Sequence, residues 1–113
     1  GDSVTFSGFV SPIEAMGRSD MIVQLSVWEN CSYTLLDAKA AGLKTVATAV
    51  GGNPEILGAD ELVDRQSATL TQDVLQAMRA QLQKGESVPF TWISNAQMAA
   101  QTAEIYARIL EKK

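Results

Sequence analysis

Residues 21–52 limit the possible folds more than any other stretch. Met21-Ile22-Val23 is an apolar run without alternation, ending at Gln24-Leu25-Ser26. A small polar turn, Glu29-Asn30-Cys31-Ser32, leads into a helical pattern from Tyr33 to Ala41 that Gly42 closes. A second apolar run, Thr45 to Thr48, then reaches Gly51-Gly52. Strand, helix and strand in this order form a βαβ unit. Strands that are apolar on both sides belong in a parallel sheet covered on both faces. In such units ligands bind beyond the carboxyl ends of the strands, where helix N-termini point. The two acids of the unit, Glu29 before the helix and Asp37 inside it, are therefore the first candidates for function.

The rest of the chain extends the pattern. Val4-Thr5-Phe6 reads as a short strand punctuated by Gly8. Ser11-Pro12-Ile13-Glu14 fits a capping box with proline at the first helical position, predicting a helix to about Gly17 or Arg18. Asn53-Pro54-Glu55 predicts another short helix, with Asn53 as cap, ending near Gly58. Glu61-Leu62-Val63 reads as an edge strand. Thr69 or Thr71 caps a helix to about Lys84, with Val74, Leu75, Met78 and Leu82 on one face and Gly85 as terminator. After a linker at Pro89 and after Trp92, a second capping box, Ser94 to Gln97, opens a last helix. Its apolar face is Met98, Thr102, Ile105, Tyr106, Ile109 and Leu110. The expected fold class is α/β, a Rossmann-like parallel sheet with flanking helices and right-handed crossovers, in one domain over residues 1–113.

Composition removes several classes of function. At 113 residues, 46% hydrophobic and 19% charged, the chain suits one soluble domain. Such a domain buries roughly two thirds of its unfolded surface. A net charge of −4 without a long acidic run argues against nucleic acid and anionic membrane as partners. No apolar stretch nears the ~20 residues that cross a bilayer, and no signal peptide is visible. A lone Cys31 excludes an internal disulfide. With no histidine, the commonest general base and metal ligand is missing. There is also no GxGxxG, no GxxxxGK[ST] and no metal-ligand cluster, so dinucleotide, P-loop and zinc readings lack support.

Each candidate has a structural alternative. Glu29 can accept hydrogen bonds from sugar hydroxyls or simply cap the helix. Asp37 can sit near the positive helix end or hold a ribose. Backbone N–H groups around Ser32 to Leu35 could receive a diphosphate, as any helix start could. Gly51-Gly52 permits close approach to a ligand or makes an ordinary turn. Cys31 is read as a turn or packing residue, because a thiol without a nearby base is a poor nucleophile. Trp28 and Trp92 are read as core or hinge residues in preference to stacking platforms.

The order of pieces nevertheless carries a resemblance. Val4-Thr5-Phe6-x-Gly8-Phe9-Val10 is followed by Ser19-Asp20-Met21-Ile22-Val23 and Ser26-Val27-Trp28-Glu29. Then come Leu36-Asp37-Ala38-Lys39-Ala40-Ala41-Gly42, Val46 to Ile56 with Gly51-Gly52-Asn53-Pro54-Glu55, and a late Phe90-Thr91-Trp92. In register over nearly the whole chain, this resembles the C-terminal, nucleotide-sugar-binding half of a GT-B retaining glycosyltransferase (group 1, family 4-like). That group includes bacterial polysaccharide, glycolipid and teichoic-acid transferases.

The resemblance implies roles. Glu29 matches the first, catalytic-site acid of a Glu-x7-Glu motif and would contact the donor sugar, while Asp37 matches the acid that binds ribose hydroxyls. Backbone amides near Tyr33 to Leu36 would meet the diphosphate, and Asn30, Cys31, Ser32, Tyr33, Thr34 and Leu35 would belong to the donor site. Ser26 would line the same cleft, and Gly8, Phe9 and Val10 would lie beside the base. No cofactor or metal is implied beyond the nucleotide-diphosphate sugar, and the acceptor would be a glycan, lipid-linked or polymer hydroxyl. The intact protein would be a cytoplasmic hexosyltransferase, peripheral at the inner face of the membrane. A basic pair upstream in the same domain and an N-terminal acceptor domain are expected outside this sequence. The chain alone would then be inactive, with a last helix suited to homodimer formation. Asp37 in place of glutamate, Asn30-Cys31-Ser32 in place of Gly-Phe-Gly, and Leu25 and Lys44 in place of prolines are departures from the pattern. Asp37 and the altered turn leave open a degenerate, non-catalytic GT-B subunit serving as a binding or scaffold partner. A nucleotide-sugar epimerase of the same architecture is disfavoured by the missing histidine and the Glu29–Asp37 spacing.

Overall fold

A computed structural model of the chain describes residues 3–85 and 92–111. Its elements in order are α1 (Pro12–Gly17), β1 (Met21–Gln24), α2 (Tyr33–Ala40), β2 (Lys44–Thr48) and α3 (Asn53–Ile56). A 3-10 turn (Ala59–Glu61), β3 (Leu62–Val63), α4 (Leu70–Gln83) and α5 (Asn95–Glu111) follow. The three described strands form one parallel sheet in the order β1-β2-β3, with Val23 opposite Val46 and Ala47 opposite Leu62. This is the α/β, Rossmann-like architecture that the alternation of strands and helices dictates.

Both faces of β2 are covered, as its unbroken apolar run requires; β1, at the end of the described sheet, is not buried as its apolar run predicts, and Val23 is 39% exposed. On one side Leu35 of α2 packs with Ala47, Ile56 and Leu57. On the other, Val74 of α4 packs with Val46 and Val63, flanked by Met21, Leu70, Ala77 and Met78. Adjacent residues Val46 and Ala47 thus serve opposite faces, the two-residue period of a strand. Leu35, Ala38, Val46 and Ala47 are wholly removed from water. This small core fixes α2 above β2.

The helix ends show why the boundaries fall where they do. Ser32 caps α2, its hydroxyl accepting the Leu35 N–H. At the other end Gly42, at φ 80°, sends its N–H to Lys39 O while Leu43 N–H reaches Ala38 O. This paired 5→2 and 6→1 closure needs a left-handed residue, which glycine supplies without Cβ strain. The capping box of α5 forms in both directions, Ser94 N–H to Gln97 Oε1 (2.8 Å) and Gln97 N–H to Ser94 Oγ (3.1 Å).

Several expectations are corrected. Residues 4–6 form no strand: an extended segment becomes one only when a neighbour takes up its N–H and C=O groups. No described strand lies beside it, and Phe6 and Phe9 are fully exposed. Ser11 stands before α1 without a side-chain cap bond, so that helix starts on Pro12 and backbone bonds alone. Asn53 is the first residue of α3, not its cap; Gly52 takes the cap position because the Asn53 side chain turns inward to Thr48 O. Glu61 ends the 3-10 turn and β3 begins at Leu62. Thr69, not Thr71, precedes α4, and its hydroxyl bonds Asp73 without capping the helix.

The buried stripe of α4 is Leu70, Val74, Ala77, Met78 and Gln81; Leu75 and Leu82 lie off it and are exposed. Gln81 earns its inward place by donating to Asp60 O at 3.1 Å. Trp28 and Trp92 are both exposed and neither belongs to the core. The linker at Pro89 and the Phe90-Thr91 part of the late motif lie outside the described residues. No helix among the described residues is long and apolar enough to cross a membrane.

Candidate functional site

The loops leaving the carboxyl ends of β1 and β2 meet. Residues 25–32 follow β1, residues 49–52 follow β2, and the two are joined through backbone: Gly52 N–H donates to Glu29 O at 2.8 Å. Contact is so close that no side chain fits at either glycine. A Cβ on Gly51 would lie 1.7 Å from Glu29 O, and one on Gly52 would lie 2.1 Å from Asn30 O. Gly51 also holds φ 53°. The glycine pair therefore admits the chain's own Glu29 loop where the sequence reading had allowed a ligand or a turn.

Glu29 is partly buried and its Oε1 accepts the Ser26 hydroxyl at 2.9 Å. Ser26 is held in turn by its carbonyl, which accepts Thr48 Oγ1 at 2.7 Å. Trp28 Nε1 donates to Asn30 Oδ1 at 2.7 Å, bracing the exposed turn, while Cys31 is exposed with a free thiol. Glu29 is thus fixed by Ser26 and does not cap α2; Ser32 does that.

At the start of α2 the donors sort themselves. Leu35 N–H goes to Ser32 Oγ and Leu36 N–H to Ser32 O. Tyr33 and Thr34 remain as first-turn positions whose N–H groups have no intrahelical acceptor. Both residues are exposed, whereas Leu35, expected beside them, is fully buried and its N–H is already used. Anion-binding capacity at this helix end therefore resides in Tyr33 and Thr34.

Asp37 lies one turn further on, about 6 Å along the axis from Tyr33. It is exposed and lines an open groove between α1 and α2, with Pro12, Ile13, Met16, Gly17, Ala40 and Ala41. One carboxylate in an apolar groove suits a ligand with a flat or apolar part and hydroxyls. Gly8, Phe9 and Val10 precede α1, exposed, with Gly8 at φ 65°, and none of them lines the groove. Glu29 does not line this groove. The two acids stand on either side of the helix start, and the exposed N–H groups lie between them in the chain.

Beneath the loops is a polar layer that sequence reasoning did not single out. Gln24 Nε2 donates to Ser32 Oγ (2.9 Å), and Asn53 Nδ2 donates to Thr48 O (2.9 Å) and to Gln24 Oε1 (3.4 Å). The visible signal was a glutamine ending an apolar strand. Behind α2, Glu61 accepts Thr45 Oγ1, Lys39 Nζ (3.0 Å) and the Gly58 N–H (3.1 Å). Burial pushes the Glu61 carboxyl up, but the bonds from Thr45, Gly58 and Lys39, with the Lys39 charge, outweigh it and hold its pKa below the ordinary value. Among the described residues no group of three histidine, cysteine or acidic side chains could hold a metal ion.

No curated protein and no solved structure matches the chain. A family model for group 1 glycosyl transferases matches residues 1–84, from the segment before α1 through α4.

Proposed function

The chain belongs to the group 1 glycosyl transferases, and from that premise we propose that it forms the donor site of a GT-B retaining enzyme using a nucleotide-diphosphate sugar. Glycosyl transfer is the family's chemistry. The observation that carries the finer reading is the order around α2: a seated carboxylate, two open N–H groups, then a second carboxylate in an apolar groove. A nucleotide-diphosphate sugar presents matching groups in the same order.

In this reading Asp37 accepts the ribose hydroxyls while the base rests in the groove near Phe9 and Val10. The Tyr33 and Thr34 N–H groups receive diphosphate oxygens, whose charge the helix end favours. Glu29, held by Ser26, accepts hydroxyls of the donor sugar. During transfer the bond from the anomeric carbon to the diphosphate oxygen breaks, and the acceptor oxygen bonds to that carbon from the same face. The acceptor proton leaves with the nucleoside diphosphate as the departing base. Catalysis by stabilising the leaving charge needs no histidine. We assign the basic residues that neutralise the diphosphate, and the acceptor domain, to parts of the protein outside this sequence. The proposed acceptors are polysaccharide, glycolipid or teichoic-acid hydroxyls on the cytoplasmic side of a membrane.

Calorimetric titration with UDP, GDP and ADP and their glucose conjugates tests the reading. Saturable binding is expected, weakened about tenfold or more in Asp37→Ala, the scale of hydrogen bonds to a charged group. Glu29→Gln should weaken the sugar conjugates while sparing the free nucleotides. Binding that ignores Asp37→Ala in a folded variant would overturn the assignment of the groove.

A further inference from the structure

Gln24 ends β1, a strand whose other residues, Met21, Ile22 and Val23, are apolar. Burial alone would favour another apolar residue there, and the side-chain amide adds nothing to the sheet ladder. It does link two loops. Asn53, fully buried, donates to Thr48 O and to Gln24 Oε1; Gln24 Nε2 donates to Ser32 Oγ; Ser32 Oγ also accepts the Leu35 N–H at 3.2 Å. A continuous run of hydrogen bonds therefore passes from the end of β2, under the Glu29 loop, into the first turn of α2.

We infer that Gln24 is a positioning residue: its amide fixes the Ser32 cap oxygen and so aims the open N–H groups of Tyr33 and Thr34. A serine hydroxyl can rotate among staggered positions, only some of which face its helix N–H groups. A second donor arriving from Gln24 holds the oxygen where it meets Leu35. Ser32 is buried, so water does not replace that donor. Asn53 anchors the glutamine from the other side, in the turn whose preceding glycine bonds Glu29 O. One side chain thus ties the helix end to the loop bearing Glu29. The consequence for ligand binding rests on the function proposed above; the positioning itself does not.

The test is residue-resolved amide hydrogen exchange on the full 113-residue chain, in wild type, Gln24→Met, Ser32→Ala and the double variant. Methionine matches glutamine in length and cannot donate, and Gln24→Leu serves in its place should Gln24→Met fail to fold. Leu35 is expected to exchange about fivefold faster in Gln24→Met, the scale of one hydrogen bond lost locally, with Val46 and Ala47 unchanged. The double variant should match Ser32→Ala, because Gln24 acts through that hydroxyl. An unchanged Leu35 rate, or acceleration spread equally over Leu35 and Val46, would overturn the inference. Parallel titration with UDP and GDP separates the two readings. Weaker nucleotide binding in Gln24→Met extends positioning to the ligand, and equal binding removes that consequence. If wild type binds neither these nucleotides nor ADP, donor binding by this chain fails while the exchange rates still decide the role of Gln24.

Discussion

Gly51 and Gly52 stand where the β2 loop touches the backbone of Glu29 and Asn30, and a methyl group at either would overlap a carbonyl oxygen. The Gly51→Ala change is the harsher, since Gly51 also has positive φ. Overpacking alone costs about 1–3 kcal/mol, with the left-handed conformation adding to it. Chemical denaturation should show that loss, and Gly52→Ala a smaller one, because its φ of −83° suits any residue. Leu35, wholly buried between α2 and β2, should cost about 2–5 kcal/mol on truncation to alanine. Pattern identified Leu35 as apolar helix, yet no pattern could show that its N–H was committed to Ser32. Such commitments depend on side-chain rotamers settled by neighbours distant in sequence, here Gln24 and Asn53.

Among elements, α2 and α5 contrast. Both have a serine before the first turn, and in both its oxygen accepts a backbone N–H. Helix α2 buries Leu35 and Ala38 against the sheet, whereas α5 buries none of its residues. Ser94→Ala should therefore lower α5 helicity, read by carbon chemical shifts, by an amount matching a cap worth about 1 kcal/mol, without changing the melting of the sheet. Replacing Ile105 and Ile109 by glutamate should leave thermal stability within about 0.5 kcal/mol, because both are already half exposed. A fall in stability would mean that α5 packs on the domain. The α5 boundary was readable because capping is local chemistry; the exposure of its apolar face was not, since amphipathicity states that a face can be buried and never against what.

For the whole molecule, the Glu61 cluster joins three parts of the fold: Lys39 of α2, Thr45 of β2 and the turn before β3. Because the folded pKa of Glu61 lies below its unfolded value, the unfolded chain binds the proton more readily. The cluster's contribution is complete above the unfolded carboxylate pKa of about 4.3 and fades as pH falls through the lower folded value. Denaturation midpoints measured from pH 7 down to pH 2 should drop below about pH 4, and Glu61→Gln should flatten that drop.

What the sequence by itself determined is the course of the chain: an α/β order, caps at Gly42 and Ser94, and two acids flanking one helix start. These follow from period, cap chemistry and steric freedom, all properties of a few adjacent residues. Only the tertiary structure decided that residues 4–6 form no strand, that Gly51-Gly52 receives Glu29's own backbone, and that Gln24 and Asn53 run beneath the loop. It also decided which N–H groups at α2 stay open. The glycine contact and the Gln24–Asn53 bond depend on partners 20 or more positions away, and the strandless segment on the lack of a described neighbour; a hydrogen bond or steric contact exists only once packing has brought its two halves together.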